Sequence, residues 1–171
     1  VRGELDLVQT LAVKWLHPEW SGTSEIAARL RDEARLLALL QHENIVRVHG
    51  LTYIEERLAI LMEPIDGADL AKLREPMPIK SALEMVEATA DALAAAWEEV
   101  PPNRQEPLRV VHRDIKPSNI MISSRGGVKV MDFGVARATF DEREAATKSQ
   151  QYGTARYMAP ERWLHGVASA S

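Results

Sequence analysis

The 171-residue chain contains no cysteine. Disulfides and thiolate metal centres are therefore excluded, and a reducing compartment suits the composition, so a cytoplasmic location is expected. No apolar run approaches the ~18 residues that would span a bilayer. The opening Val-Arg-Gly-Glu carries neither an initiator methionine nor the pattern of a signal peptide. Positive charge is not in excess either. A net charge of −4 argues against a general nucleic-acid binder or a protein that seeks anionic membranes. Internal repeats are missing, and the alanine-rich stretch near residues 88–96 is the only biased tract. What is present, 46% hydrophobic and 27% charged residues, is ordinary for a soluble globular protein. The length allows one core of good size or parts of two small lobes.

The chemistry-bearing residues concentrate between Val110 and Gly134. Val110 and Val111 read as an apolar strand, followed by a polar loop holding Asp114, Lys116 and Asn119. Ile120–Ile122 and Val128–Met131 read as two strands of a β-hairpin joined by the Ser- and Gly-rich turn Ser123–Gly127. A hairpin brings its outer ends together, so Asn119 and Asp132 are expected to be neighbours. Asp114, Lys116, Asn119 and Asp132 then converge on one small volume. Three oxygen donors and an ammonium at one place suit Mg²⁺ and a polyphosphate.

Upstream, Thr10–Leu16 alternates as a strand that puts Lys14 on the same face as Ala12, a side chain small enough to leave room for a flat ligand. A lysine on a strand is more often a solvated edge charge. Glu25–Leu40 reads as an amphipathic helix capped by Ser24, with Ile26, Leu30, Glu33, Leu37 and Leu40 along one stripe. A carboxylate inside an apolar stripe needs a partner, and Lys14 is the natural one for Glu33. Alternatively the stripe is rotated so that Ala27 and Ala34 face inward and Glu33 flanks it.

Ile45–Val48 and Leu58–Met62 read as strands around a turn near Glu55 and Glu56, and His42 and His49 as structural. Glu63-Pro64-Ile65-Asp66-Gly67 breaks the second strand and reads as a linker between two lobes. A short helix capped by Asp69 is expected to about Glu75. A long helix follows over Pro78–Glu99, with Ile79, Leu83, Val86, Ala90, Leu93 and Trp97 as its core face. Pro101–Pro107 is a polar connection. Beyond Gly134 lies a polar segment with Thr139, Thr147, Ser149 and Thr154, a length without periodicity that is usually functional or disordered.

Taken together, Leu-Ala-Val-Lys (11–14), Glu33, Met-Glu-Pro-Ile (62–65), His-Arg-Asp-Ile-Lys-Pro-Ser-Asn (112–119), Asp-Phe-Gly (132–134) and Ala-Pro-Glu (159–161) resemble, in order and spacing, the catalytic domain of a eukaryotic-like serine/threonine protein kinase of the bacterial kind. The resemblance covers nearly the whole chain. It implies an α+β, partial bilobal kinase fold, with a small β-rich N-lobe carrying one helix over residues 1–63. A hinge at 64–68 and a mainly helical C-lobe over 69–171 complete it. It implies ATP and Mg²⁺ as cofactors and proteins bearing Ser/Thr hydroxyls as substrates, with no nucleic acid and no membrane segment in this stretch. By the same resemblance, Lys14 holds the α- and β-phosphates and Glu33 fixes its ammonium. Asp132 and Asn119 bind the metal, Asp114 accepts the proton of the substrate hydroxyl, and Lys116 neutralises charge on the γ-phosphoryl. Glu63 C=O and Ile65 N–H meet the adenine, Ala12, Leu70 and Met121 sandwich it, Met62 backs the pocket, and Asp69 reaches the ribose. Lys116 and Thr154 match serine/threonine rather than tyrosine kinases. Arg113 before Asp114 implies control by a phosphate on the segment 139–154, at Thr147 or Ser149, with Thr147, in the middle of the segment, the expected site.

The chain also departs from the family. No Gly-x-Gly-x-x-Gly occurs; the nine glycines fall at 3, 22, 50, 67, 126, 127, 134, 153 and 166. The family's first two strands with their phosphate-covering loop would lie upstream of Val1, and its later helices downstream. A piece of a longer kinase, poorly stable and weakly active alone, is therefore expected. A non-catalytic kinase fragment or pseudokinase-type binding module is the rival reading. A small-molecule phosphotransferase of the same superfamily is a weaker one, because such enzymes tend to lack Asp-Phe-Gly together with Ala-Pro-Glu.

Overall fold

A computed structural model describes residues 9–15, 34–102, 104–133 and 156–157. The chain is α+β. Three antiparallel strands, β1 (Ala12–Trp15), β2 (Val48–Ile54) and β3 (Arg57–Met62), form the first sheet in the order β1-β3-β2. Leu58, Ala59, Ile60 and Met62 are all buried, as a central strand covered on both faces requires. Ile54 pairs with Arg57, leaving Glu55 and Glu56 as a two-residue loop with φ of 49° and 62°. Left-handed backbone at both positions is what a tight hairpin with the native twist demands. The predicted turn is therefore present, but its first strand is not 45–48. β2 starts at Val48 and runs to Ile54, because Ile45 is diverted into a parallel bridge with Val130.

The second sheet is β4 (Gly67–Asp69), β5 (Ile120–Ser123) and β6 (Val128–Val130), antiparallel and in that order. Its β5–β6 hairpin is the one expected from the sequence. The turn is closed by Gly126 N–H to Ser123 O (2.9 Å) and Gly127 N–H to Ser123 Oγ (3.0 Å), with Gly126 at φ +85°. That φ is the reason for glycine there. Gly67 is explained differently. Where the sequence suggested a turn, Gly67 opens β4, and a Cβ built on it would lie 2.2 Å from Ile122 O. Ser124 of the turn ties back to Asp66 through its N–H and its hydroxyl, both at 2.7 Å.

The expected helix over 69–75 is only a 3-10 turn, Leu70–Lys72. Asp69 is held in β4 opposite Met121, and its carboxylate pairs with Lys72 Nζ at 3.0 Å instead of capping a backbone amide. Pro76 and Pro78 then prevent helical continuation.

Residues 34–39 are helical (α1), with Ala34 and Leu37 buried, as is Leu40 just beyond. The long helix, α2, spans Ile79–Glu98 after Pro78. Its buried face matches the predicted one only toward the C-terminal end, at Leu93 and the half-buried Trp97. Ile79, Leu83 and Val86 are 81%, 65% and 57% exposed, whereas Ala92 and Ala96 are fully buried and Leu93 packs beside them. Small side chains let the helix close tightly on β6, so it turned Ala92 and Ala96 inward beside Leu93 and left Ile79, Leu83 and Val86 outside. The larger core joins Leu37, Leu40, Ile45, Ala92, Ala96, Leu108, Val130 and Phe133; a second joins Val46, Leu58, Ile60 and Met62.

Val110 and Val111 form no strand. The segment runs back along the end of α2 instead, with Leu108 N–H donating to Glu99 O and Val110 N–H to Ala96 O. Arg109, at φ 54°, lays its guanidinium over the Trp97 ring at 4.7 Å. The helix end thus fixes where the polar loop begins.

Candidate active site

From that anchor the chain enters His112, which is buried although polar. His112 Nε2 lies 2.9 Å from Met131 O, and Asp114 N–H donates to Nδ1 at 3.2 Å. An Nδ1 that accepts must be unprotonated, so the proton sits on Nε2 and donates to Met131 O. Burial pushes the His112 pKa down, only partly offset by the bond to Met131 O and the nearby Asp114 and Asp132. The neutral ring stitches the polar loop to the residue before Asp132. It also packs against Phe133, centroid to centroid 4.6 Å. The residues flanking this stitch, Arg113 and Asp132, both have left-handed φ, 67° and 62°. Non-glycine residues hold that conformation only where the surroundings impose it, and such places cluster at functional sites.

Asp114 is engaged on two sides. Lys116 Nζ lies 2.7 Å from its Oδ2, and Asn119 Nδ2 donates to its backbone O at 2.8 Å and its Oδ2 at 3.2 Å. Asn119 is buried at the end of the 3-10 turn Pro117–Asn119, which Pro117 starts with a preset φ. Its amide nitrogen is spent on Asp114, while its oxygen accepts a long bond from Ser118 Oγ at 3.5 Å and keeps a second lone pair. Met131 N–H donates to Asn119 O at 2.9 Å, which brings the two ends of the hairpin together as expected.

Lys14, paired in register with Ile60 on β3, reaches across to Asp132 Oδ1 at 2.5 Å. The sequence suggested Glu33 as its partner; Glu33 lies outside the described residues. Ala12 stands opposite Met62, and with Ile65 and Met131 these residues share the second cluster. Asp69 and Met121 face each other across β4 and β5, next to Leu70. The Lys72 ammonium holds the Asp69 carboxyl below its ordinary range. Glu63 N–H donates to Arg47 O at 3.0 Å, and its carboxylate accepts from Arg47 N–H at 2.9 Å and from Lys129 Nζ at 2.6 Å. Thr139, Thr147, Ser149 and Thr154 lie outside the described residues.

Hard cations prefer oxygen, and this site offers the Asp132 carboxylate and the Asn119 amide oxygen. Among the described residues no three of His, Cys, Asp or Glu gather to hold a metal by themselves. Two protein oxygens with phosphate and water oxygens completing the shell is the usual manner of Mg²⁺ binding, so the donor set suits that ion. Sequence reasoning missed Lys129. Within Val128-Lys129-Val130 it reads as the solvated side of a hairpin strand, and nothing local announces an acidic partner 66 positions away.

The protein kinase domain family matches residues 4–170. The chain belongs to the protein kinase family. Among curated kinases it is 37% identical over 165 residues to the serine/threonine-protein kinase PknB of Mycobacterium leprae (strain TN), covering 92% of this chain and 25% of that protein. It is 38% identical over 174 residues to PknA of Mycobacterium tuberculosis (strain ATCC 25177 / H37Ra), covering 96% of this chain and 38% of that protein. A crystal structure of the Mycobacterium tuberculosis PknI kinase domain superposes with a TM-score of 0.58 at 29% identity, covering 74% of this chain and 50% of that one. The chain thus spans about a quarter to two fifths of the length of the curated kinases it matches. It shares the kinase fold, with a small sheet bearing Lys14 and a hairpin bearing Asp132.

Proposed function

We propose that this chain carries the chemistry of an ATP-dependent protein serine/threonine kinase, moving the γ-phosphoryl of ATP to Ser/Thr hydroxyls. The observation that carries the reading is the joint geometry of Asp114, Lys116 and Asn119, whose contacts to the Asp114 carboxylate are 2.7 and 3.2 Å, with Asp132 paired to Lys14 beside them.

In this reading Asp132 and Asn119 hold Mg²⁺, which when bound neutralises phosphate charge. Lys14 exchanges part of its pairing with Asp132 for the α- and β-phosphates. Asp114 orients the substrate hydroxyl and accepts its proton. Its Oδ2 is already held by Lys116 and Asn119, so little reorganisation is needed when the hydroxyl arrives. Lys116, within reach of the same carboxylate, stabilises the charge on the transferring group. Ala12, Met62, Ile65, Leu70 and Met121 supply apolar surface for the adenine, Glu63 C=O and Ile65 N–H its hydrogen bonds, and Asp69 the ribose contact. A phosphate on Thr147 would give Arg113 a charge-assisted partner and provide regulation.

The test is phosphate transfer from radiolabelled ATP to generic protein substrates, comparing wild type with Asp114→Asn and Lys14→Met. Incorporation should fall by at least about a hundredfold in both variants, the scale of losing a positioned catalytic or charge-stabilising group. Incorporation unaffected by Asp114→Asn would remove the mechanism. Nucleotide binding with no transfer by the wild type would favour a non-catalytic nucleotide-binding module.

A further inference from the structure

Lys129 has no part in the phosphoryl transfer just described, yet its ammonium ties together segments far apart in the chain. It donates to Glu63 Oε1 at 2.6 Å and to Ile45 O at 3.4 Å. Its side chain is only 24% exposed and that of Glu63 27%. The same Glu63 oxygen accepts Arg47 N–H, while Glu63 N–H donates to Arg47 O. A ring of hydrogen bonds therefore closes over three separate segments: residues 45–47 ahead of β2, the residue after β3, and β6. Lys129 stands opposite Met121 on β5, and Asp132 follows three residues later on the same run of chain. One lysine thus links the segment assigned to adenine with the strand that delivers the metal-binding aspartate.

We infer that Lys129 is a positioning residue for nucleotide binding: through Glu63 it clasps the 63–65 segment to β6 and sets the spacing between the adenine and phosphate ends of the site. The inference rests on the nucleotide-site reading above. Residues 63–65 contain Pro64, which donates no hydrogen bond, so the backbone there has fewer ties of its own. A charge-assisted bond from outside the segment is the efficient way to hold it. Partial burial pushes the Glu63 carboxyl up, but the bonds from Lys129 and Arg47 outweigh it and leave its pKa below the ordinary value. The carboxylate therefore stays charged, and the clasp closed, through the neutral range.

The test compares Lys129→Met, Lys129→Arg and Glu63→Gln in the full chain with two readouts. In amide hydrogen exchange resolved by NMR, Lys129→Met should speed exchange at Arg47 and Glu63 by about fivefold, the factor for losing one net hydrogen bond of about 1 kcal/mol. Ile60, in the middle of β3, should stay unchanged. In steady-state kinetics the same variant should raise KM for ATP by about fivefold and change kcat by less than about twofold. Lys129→Arg, which keeps the charge and reach, should restore both, and Glu63→Gln, which keeps the acceptor oxygen but loses the charge, should shift both in the same direction by a smaller factor. Unchanged exchange at Arg47 and Glu63, an unchanged or lowered KM, or failure of arginine to rescue would overturn the inference. If Lys129→Met exchanges fast everywhere, the variant has unfolded, and Glu63→Gln against Lys129→Arg decides. If the wild type takes up no MgATP, the kinase reading fails, and the exchange readout still decides the clasp.

Discussion

Replacing Gly67 with alanine adds one methyl group, and the structure says where it must go. The Cβ would lie 2.2 Å from Ile122 O, 2.8 Å from Ser123 Cα and 2.9 Å from Ile122 C. All three are backbone atoms of β5, so no side chain can swing aside, and the strands must part. The pairs at risk are Gly67 with Ser123, Ala68 with Ile122, and Asp69 with Met121. Relieving such a clash by backbone shift costs about 1–3 kcal/mol. For a chain of this size about 2 kcal/mol corresponds to a fall of roughly 4–8 °C in Tm. Asp69 and Met121 belong to the proposed nucleotide site, so ATP affinity should fall with stability. The useful control is Gly126→Ala, where no atom lies within 4 Å of the new methyl and the penalty comes from φ +85° alone. It should destabilise by about 1 kcal/mol and leave ATP affinity unchanged. Thermal melts and fluorescent-nucleotide titration measure both. A Gly67→Ala protein that melts within about a degree of wild type and binds nucleotide equally well would refute the close approach of β4 and β5.

Two further outcomes are expected. Asn119→Asp replaces a buried amide donor with a carboxylate against Asp114 O and Oδ2; kcat should fall by at least about a hundredfold and stability by roughly 2–4 kcal/mol, measured by phosphate transfer and urea denaturation. His112 is neutral in the fold while the unfolded chain takes up a proton near the ordinary value of about 6.5, so its contribution is complete above that pH and is lost as pH falls through the lower folded value. The urea midpoint should therefore drop between about pH 7.5 and about pH 5.5 more steeply in wild type than in His112→Asn, and equal slopes would show that the ring is not held neutral.

Much of the site was legible because its signals are local. Asn119 meets Met131, the residue before Asp132, because a short hairpin with a Ser- and Gly-rich turn brings its outer ends together, and apolar runs on either side mark its strands. The turn at Glu55 and Glu56 was legible for the same reason. Long-range choices were less so. Helix α2 carries two faces of plausible core character, and hydrophobicity favoured Ile79, Leu83 and Val86 over Ala92 and Ala96. Close packing against β6 reversed that order, since proximity matters more than side-chain size at a tight crossing. Val110 and Val111 look like a strand, but the chain around them runs back along the end of α2, where Ala96 O claims the Val110 amide. Asp69 looks like a helix cap, yet strand pairing with Met121 and an ion pair with Lys72 claim it first. Lys129 was invisible because its partner is distant in sequence.

The parallel bridge between Ile45 and Val130 gives the two sheets a pivot. Both backbone hydrogen bonds across it, Val46 N–H to Val130 O and Val130 N–H to Asn44 O, fall on that one fully buried valine. Asp132 sits two residues from this axis and would hardly move if the sheets rotated about it. Lys14 is on β1, two strands across from β2 and hence about 10 Å farther out at the usual strand spacing. A rotation of about 10° would carry it about 2 Å, enough to open the pair with Asp132. The lysine is on the long arm of the lever and the aspartate is close to the fulcrum, so opening and closing the cleft would part this ion pair by moving Lys14 while leaving Asp132 in place.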